Sequence, residues 1–230
     1  MTSPDVRVIA VGGLPEVGAG ADIGAMIADA TAVEPGDVVV IAQKIVSKAE
    51  GRIVPAETRE DARAIAKREA KRIVRETEQH LIVETHHGFV CANAGVDMSN
   101  VLEGTAALLP RDPDASADRI RRTLEERCGA PIAVIVSDTF GRAWRIGHAN
   151  IAIGSSGIAS LRTYEGQADP AGRELVVTQI AQTDELASAA ELVMDKLDRV
   201  PVAIVRGYRW TPADGNAREL VRPPELDLFR

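Results

Sequence analysis

The chain has 230 residues, of which 45% are hydrophobic, and its formal net charge at pH 7 is −7. This composition is typical of a soluble globular protein with a sizeable core, and its interleaved acidic and basic residues argue against a duplex nucleic-acid binder, which would present a basic face. Two cysteines are too few for a disulfide framework, no secretory leader precedes the first predicted strand, and no apolar run approaches the roughly 20 residues of a membrane-spanning helix, so we expect a cytoplasmic protein.

The first third of the sequence predicts short strands and one long helix. A strand over 6–11 is followed by the loop GGLPEVGAG and by a short helix over 22–30. After a turn at 34–37, the stretch VVVIAQKIVSKAEG predicts one or two strands that end at Gly51. Apolar residues at steps of three and four then predict an amphipathic helix over 57–80.

The rest of the sequence predicts further strands and two more helices. The stretches LIVE, GFVCA and PIAVIVSD read as strands, and RVPVAIVRGY reads as a final strand. An amphipathic helix is predicted over 114–127, and Thr183 or Asp184 is predicted to cap a helix that runs to about Leu197. Because strands and helices alternate without a strict βαβ rhythm, we predict an α+β or mixed α/β domain.

The glycine-containing loop and the start of the next helix form the first candidate binding site. Gly18, Gly20 and Gly24 make a loose G-x-G-x-x-x-G pattern, which can bring backbone amides close to a phosphate and would favour an NAD(P)-binding oxidoreductase. Six residues separate the predicted strand from Gly18, however, and Pro15 interrupts the tight turn that such a motif needs. A flexible connection explains the same glycines.

The segment AQKIVSKAEGR is the second candidate. It places Gln43, Lys44, Ser47 and Lys48 at the end of a predicted strand, where two ammonium groups and two hydrogen-bonding side chains can contact a phosphate. Lysines on an edge strand also block pairing with another sheet, so composition alone leaves both interpretations open.

Polar residues follow two other predicted strands. The loop ANAGVDMSN offers Asp97 as the anchoring charge for a divalent cation, although the same residue types also form Asx turns. Asp138 and Thr139 stand where the apolar run AVIV ends, and Arg142 and Arg145 can pair with phosphate or carboxylate groups. The alternative for this stretch is an N-terminal helix cap followed by a buried tryptophan.

Two carboxylates on separate loops, surrounded by lysines and arginines on others, are what phosphoryl transfer from a nucleotide requires. Metal ions bridge the phosphate oxygens, while basic side chains stabilise the charge that moves to the leaving group. His86 and His87 lack the ligand spacing of a zinc site, and neither Cys91 nor Cys128 has an adjacent histidine to activate it. We therefore predict a hard-cation site without a covalent nucleophile.

Four segments of the sequence also carry a resemblance. LPEV, AQKIVSKAEGR, ANAGVDMSN and SDTFGRAWRIGHANIAIGSSGI occur in this order, and together they closely resemble the coenzyme F(420)-0:L-glutamate ligase family. The likeness runs from about Val8 to Gly207. Its most specific blocks are SDTFGRAWR and ANAGVDMSN, whereas the glycine loop by itself is not distinctive.

The resemblance implies a fold, a partner set and a domain organisation. It implies an unusual α+β ligase fold with mixed and antiparallel sheets, flanking helices and an intertwined homodimer. Its substrates would be GTP, L-glutamate and the deazaflavin coenzyme precursor, with two divalent ions, Mg²⁺ or Mn²⁺, and K⁺ as a further activating ion. A single ligase domain over 1–230 is expected, without the C-terminal flavin-reductase-like domain of some relatives.

The resemblance assigns the metal site to Asp97 and Asp138, with Thr139 on the second metal. Arg142 and Arg145 are assigned to the acyl phosphate or to substrate carboxylates. The residues that it places at the nucleotide are Leu14, Pro15, Glu16, Val17, Gln43, Lys48 and Asn100.

The sequence departs from the family pattern in two places. Gln43 matches a position that is serine in some relatives. A further family segment near the last strand supplies nucleotide and metal contacts in some members, and here it would be VRGYRW, in which no ligand residue aligns.

The mechanism implied by the resemblance begins with the terminal carboxylate of the precursor's lactyl phosphate arm. That carboxylate attacks the γ-phosphate of GTP to form an acyl phosphate, which the α-amine of glutamate then attacks, and further rounds add γ-linked glutamates. The competing interpretations are an NAD(P)-binding oxidoreductase that uses the Gly18–Gly24 loop and a nucleotide-binding regulator without turnover.

Overall fold

The computed structural model describes residues 5–227 as five α-helices and twelve strands, with three short 3-10 turns. The helices are α1 (Ile23–Ala30), α2 (Gln43–Ala49), α3 (Arg59–Glu69), α4 (Pro113–Cys128) and α5 (Gln182–Met194). The strands are β1 (Arg7–Val11), β2 (Val38–Ala42), β3 (Ile53–Pro55), β4 (Ala70–Glu76), β5 (Leu81–Thr85), β6 (Val90–Ala92), β7 (Thr105–Ala107), β8 (Ala133–Arg142), β9 (Arg145–Ser156), β10 (Arg162–Thr163), β11 (Gln179–Ile180) and β12 (Val202–Arg206).

A five-stranded mixed sheet organises the fold, with its strands in the order β1-β12-β2-β8-β9. Only β2 and β8 are parallel, and the other neighbouring strands are antiparallel. Smaller antiparallel sheets join β4, β5 and β6, and also β3 with β7 and β10 with β11. This arrangement confirms the predicted α+β class.

The central sheet is covered on both faces, which explains why its strands are continuous apolar runs. Along β2, Val39 and Ile41 pack in a cluster with side chains of α1 and α4. The alternate residues Val38 and Val40 pack in a second cluster with side chains of α5. A third cluster lies under α3 and the sheet of β4, β5 and β6.

Several predicted elements are confirmed to within a few residues. The first strand, the helix that begins after Asp22 and the helix before the SDTFGR segment all form as expected. Asp22 accepts a hydrogen bond from the Ala25 amide, and Asp112 accepts one from the Ala115 amide, so both helices begin at an aspartate cap.

The helix predicted over 57–80 is wrong in its second half. The helix ends at Glu69, and the following residues form β4, which pairs with β5. Ile73 and Val74, which completed the helical pattern, are both more than two-fifths exposed on this strand. β-branched residues are favoured in strands, and pairing with β5 satisfies the backbone groups that a helix would have satisfied internally.

The lysine-rich segment is a helix rather than a strand. β2 ends at Ala42, and QKIVSKA forms α2 immediately afterwards. Ile45 and Val46 are buried in the cluster beneath the central sheet. The interpretation of these lysines as protection for a strand edge is therefore wrong.

The predicted cap of the last helix is also wrong. Helix α5 starts at Gln182 without a side-chain cap and ends at Met194. Asp184 instead accepts a hydrogen bond from the Ala152 amide of β9 at 2.8 Å, and Thr183 Oγ1 is buried without a hydrogen-bond partner. Tertiary contacts with β9 have replaced the local cap.

The glycine pattern after β1 lacks the parallel βαβ unit that a dinucleotide fingerprint requires, because β1 is an edge strand antiparallel to β12. A Cβ atom on Gly24 would lie 2.7 Å from Thr123 Cβ, so this glycine allows α1 to approach α4 closely. Within residues 5–227, no helix is both long enough and apolar enough to cross a bilayer.

Candidate functional site

The candidate site lies where the two parallel strands part. The pairing of β2 with β8 ends at Ala42 and Ser137. The chain after Ala42 turns into α2, whereas β8 continues in a long hairpin with β9. Asp138 and Thr139 are thus the first residues of β8 beyond the end of β2, at an edge where open sheets commonly bind ligands.

Asp97 approaches this edge from the loop that follows β6. The loop is bent by left-handed backbone at Asn93, Ala94 and Gly95 and then pairs with Ala107 through backbone bonds of Asp97. The Asp97 carboxylate accepts hydrogen bonds from the amide and hydroxyl of Ser99, both at 2.8 Å. The Asx turn, which was the alternative given for this loop, is therefore present, and it orients the carboxylate.

Lys44, in the first turn of α2, binds the loop that carries Asp97. Its Nζ atom lies 2.7 Å from Asp97 Oδ2 and 2.6 Å from the Ser99 carbonyl oxygen. Burial raises the pKa of Asp97, but Lys44 and Ser99 outweigh it and hold that pKa below its usual value. Lys44 was predicted at a strand end; as part of a helix, its position four residues before Lys48 would have indicated one shared face.

The register of β2 with β8 pairs Ala42 with Ser137, which brings Lys44 and its partner Asp97 to the same end of the sheet as Asp138. Burial raises the pKa of Asp138 to about 7, and the negative charge of Asp97 acts in the same direction. The Thr139 amide, Lys44 and Lys196 act against this rise. Two acidic and two basic side chains from four parts of the chain therefore share one site.

Thr139 belongs to a polar network that the sequence did not reveal. Thr139 and Asn150 are paired across the β8–β9 hairpin, and their side chains hydrogen-bond at 2.6 Å. Lys196 Nζ donates to Thr139 Oγ1 at 2.6 Å and lies 2.9 Å from Glu191 Oε1. Asn150 Nδ2 donates to the other oxygen of Glu191 at 2.7 Å, which closes the network.

The residues assigned to the nucleotide flank α2. Lys48 forms an ion pair with Glu16, and Gly20 donates its amide to the Ala49 carbonyl, so the loop after β1 is joined to α2. Val17 is buried and Leu14 is partly buried, whereas Pro15 and Glu16 are exposed.

Two further nucleotide assignments differ in their surroundings. Gln43 is buried, with its Oε1 atom 2.8 Å from Ser47 Oγ, so the structure places this amide in the interior. Asn100 is exposed with left-handed backbone and lies directly after Ser99 in the Asp97 loop.

The two arginines lie at the tip of the hairpin, away from the carboxylates of their own chain. Arg142 follows Asp138 by four residues, which in an extended strand is about 13 Å. Its Nη2 atom donates to the Ile146 carbonyl at 2.9 Å. The turn falls at Trp144, whose backbone is left-handed, and the alternative of a buried tryptophan is wrong because Trp144 is 79% exposed.

The segment VRGYRW starts at the end of β12 that lies opposite the Asp138 site of the same chain. Val202 pairs with Ile41 near the site end of β2, whereas Val205 pairs with Val38 at the opposite end. Arg206 accordingly forms an ion pair with Asp37, far along the sheet from the site. The residues that approach the site from this part of the chain precede β12 and include Lys196.

Cysteine and histidine chemistry is not favoured here. Burial raises the pKa of Cys91 to about 12, and the charge of Asp138 adds to this effect, so the nucleophilic thiolate is scarce at neutral pH. His87 Nε2 lies 3.0 Å from the Pro110 carbonyl oxygen, and its ring stacks on Phe89, which is a structural role.

The donor set fits a hard divalent cation. Asp97 and Asp138 repel one another, and a cation between them would relieve that repulsion while using the oxygen ligands that Mg²⁺ prefers. Across residues 5–227 there is no group of three or more acidic, histidine or cysteine side chains arranged for a metal ion. Mg²⁺ commonly binds to one or two carboxylates and completes its shell with water and substrate phosphates.

Comparison with known proteins identifies one family across nearly the whole chain. The family model F420-0:gamma-glutamyl ligase matches residues 13–207. The chain is 45% identical to the coenzyme F420:L-glutamate ligase of Methanothermobacter thermautotrophicus, over 98% of this chain and 99% of that protein. It is 43% identical to the protein of the same name from Methanocaldococcus jannaschii, over 86% of each, and 40% identical to that from Methanopyrus kandleri, over 99% and 98%.

Proposed function

The chain belongs to the F420-0:gamma-glutamyl ligase family and is a ligase, and we propose that it joins L-glutamate to the deazaflavin precursor F420-0 and then adds γ-linked glutamates, using GTP. The observation that carries this proposal is the convergence of Asp97, Asp138, Lys44 and Lys196 at one end of the central sheet. Carboxylates that can hold a divalent ion, placed among ammonium groups, match the requirements of phosphoryl transfer.

The proposed reaction begins by activating the acid. A carboxylate oxygen of the precursor forms a bond to the γ-phosphorus of GTP, and the bond from that phosphorus to the bridging oxygen breaks, releasing GDP. The glutamate α-amine then attacks the acyl carbon, the carbon–oxygen bond to phosphate breaks, and the amine loses a proton as the amide forms. Activation is needed because a free carboxylate has a very poor leaving group.

The chain's own side chains have separate parts in this scheme. Asp97 and Asp138 would hold Mg²⁺ or Mn²⁺, which neutralises the phosphate oxygens when bound. Lys44 keeps Asp97 ionised and oriented. Lys48 and the exposed part of the Leu14–Val17 loop lie on the α2 side of the site, where they would contact the nucleotide.

We also propose that the enzyme is a homodimer that exchanges its β8–β9 hairpins. The hairpin tip presents Ile146, which is fully exposed, beside Arg142 and Arg145. Two large apolar side chains are exposed at this one tip, Ile146 and Trp144, and such patches are typical of surfaces covered by a partner. In such a dimer the two arginines would reach the acyl phosphate or substrate carboxylates of the other protomer, since their own carboxylate site is about 13 Å away along the strand.

Mass spectrometry of the reaction mixture tests the proposed function. Protein, GTP, L-glutamate, Mg²⁺ and the deazaflavin precursor should yield a product heavier by one glutamate residue, together with GDP and phosphate. Replacing GTP with ATP tests the nucleotide requirement, and leaving out GTP should abolish the product.

A matched pair of variants assigns the reaction to this site. Asp138→Asn should abolish product formation, whereas Asp29→Asn, an exposed aspartate of α1, should react like the unaltered protein. Nucleotide binding without any glutamate adduct would show a regulator instead of a ligase, and an unaltered rate in Asp138→Asn would disprove the site assignment.

A further inference from the structure

The position given to the second divalent cation is occupied by part of the protein. Thr139 is the residue that the family likeness places on that cation, and its Oγ1 atom accepts a hydrogen bond from Lys196 Nζ at 2.6 Å. The same hydroxyl donates its proton to Asn150 Oδ1 at 2.6 Å. A hydroxyl has one proton and two lone pairs, so only one lone pair remains.

The ammonium group is held in place from both sides. Lys196 Nζ also lies 2.9 Å from Glu191 Oε1. The backbone amide of Lys196 donates to the Asp195 side chain, which also accepts from the Leu197 amide at 3.1 Å, and Asp195 itself has left-handed backbone. This turn at the end of α5 directs Lys196 back toward β8.

Both carboxylate oxygens of Glu191 are engaged by side chains of this network. One of its oxygens pairs with Lys196, and the other accepts from Asn150 Nδ2 at 2.7 Å. The remaining carboxylates of the site are Asp97 and Asp138, which suffice for one ion bridged to phosphate oxygens. A second divalent ion on Thr139 would lie within a few ångströms of the Lys196 ammonium group and would be repelled by it.

We infer that Lys196 takes the place of a second divalent cation, so that this enzyme works with one divalent ion and a built-in ammonium group against the phosphates. The inference rests on the proposed function, since the phosphates supply the anionic groups that both cations would face. Thr139, which the family likeness assigns to the second metal, then serves to position Lys196. The contacts of Lys196 with Thr139 and Glu191 are the reason why a second divalent ion does not fit here.

Electron paramagnetic resonance of bound Mn²⁺ tests the inference without relying on turnover. The protein would be saturated with Mn²⁺ and a non-hydrolysable GTP analogue, and bound Mn²⁺ counted by equilibrium dialysis. We expect one Mn²⁺ per chain with the spectrum of an isolated ion. Two ions about 4 Å apart, the separation typical of two-metal sites, would instead be spin-coupled.

Two variants make the result specific to Lys196. Lys196→Gln removes the charge, frees Glu191 and adds a neutral oxygen, so it should bind two coupled Mn²⁺ ions per chain. Lys71→Gln, an exposed lysine paired with Glu84 on the smaller sheet, should remain at one ion. A coupled pair in the unaltered protein, a single ion in Lys196→Gln, or no bound ion in either protein would each overturn the inference.

The inference and the proposed function fail separately. If no glutamate adduct forms, the proposed function is contradicted whatever the number of bound ions. If the unaltered protein is an active ligase that holds a spin-coupled Mn²⁺ pair, the proposed function stands and the role given to Lys196 does not.

Discussion

Lys44 Nζ lies 2.7 Å from Asp97 Oδ2, and this ion pair ties the first turn of α2 to the polar loop after β6. It places a positive charge beside the Asp97 carboxylate, whose negative charge helps to raise the pKa of Asp138. The pair thus fixes the geometry between two parts of the site that are 53 residues apart in the chain.

Removing this cation should impair catalysis more than folding. We expect Lys44→Met to lower the rate of glutamate addition by about 10²-fold, which is the scale for losing one oriented group in a preorganised site. Lys67→Met, which removes a lysine of α3 paired with Glu76, should keep the normal rate. Rates come from the mass-spectrometric assay, and circular dichroism checks the fold; equal rates for both variants would contradict the role of Lys44.

Asp138 should make stability depend on pH in the metal-free protein. Its pKa is raised by burial to about 7, compared with about 3.9 in an unfolded chain. Between these values the native state binds more protons, so the free energy of unfolding falls as pH rises from about 4 to 7. The contribution of the protonated carboxyl is fully present below pH 4 and is lost above pH 7.

Asp138→Asn should lack this component. In the presence of EDTA, denaturant titrations of both proteins from pH 4 to pH 8 should show the variant gaining stability relative to the unaltered protein as pH rises. The same variant should form no glutamate adduct. A constant difference in stability across this range would show that Asp138 titrates normally.

Gly24 should matter for packing and not for a cofactor. A Cβ atom there would meet Thr123 Cβ at 2.7 Å, so Gly24→Ala should destabilise the protein by about 1–3 kcal/mol, as overpacking does. Gly18→Ala, where no atom lies within 4 Å of the added Cβ, should change stability by less than about 0.5 kcal/mol. Thermal unfolding measures both, and equal losses would contradict the packing explanation.

The hairpin tip should control the oligomeric state. Ile146→Ser should shift the protein from dimer to folded monomer, because it removes a fully exposed apolar group from the proposed interface. Val177→Ser, an apolar residue that is 85% exposed between β10 and β11, serves as the control and should remain dimeric. Sedimentation velocity distinguishes the two species, and a monomeric unaltered protein would disprove the exchanged hairpin.

Some of the site could be predicted because its causes are local. Asp97 and Ser99 form an Asx turn through contacts two residues apart, and such turns are favoured by Asp and Ser whatever surrounds them. Asp138 could be located because the apolar run before it marks a buried strand. Local reasoning gave no sign that Gln43 is buried, because its side chain is polar and its partner, the Ser47 hydroxyl that donates to Gln43 Oε1, lies in the interior with it.

Local patterns in the sequence were enough to predict the apolar strands of the central sheet, the aspartate-capped helices, and the polar residues after β6 and in the second half of β8. These depend on near neighbours, through periodicity, caps and turns. Long-range packing was needed to make QKIVSKA a helix and the residues after Glu69 a strand, since β4 exists through its pairing with β5. It also decided that Lys196 meets Thr139 across 57 positions of the chain, because such a contact depends on how α5 packs against the β8–β9 hairpin and leaves no trace in the local pattern.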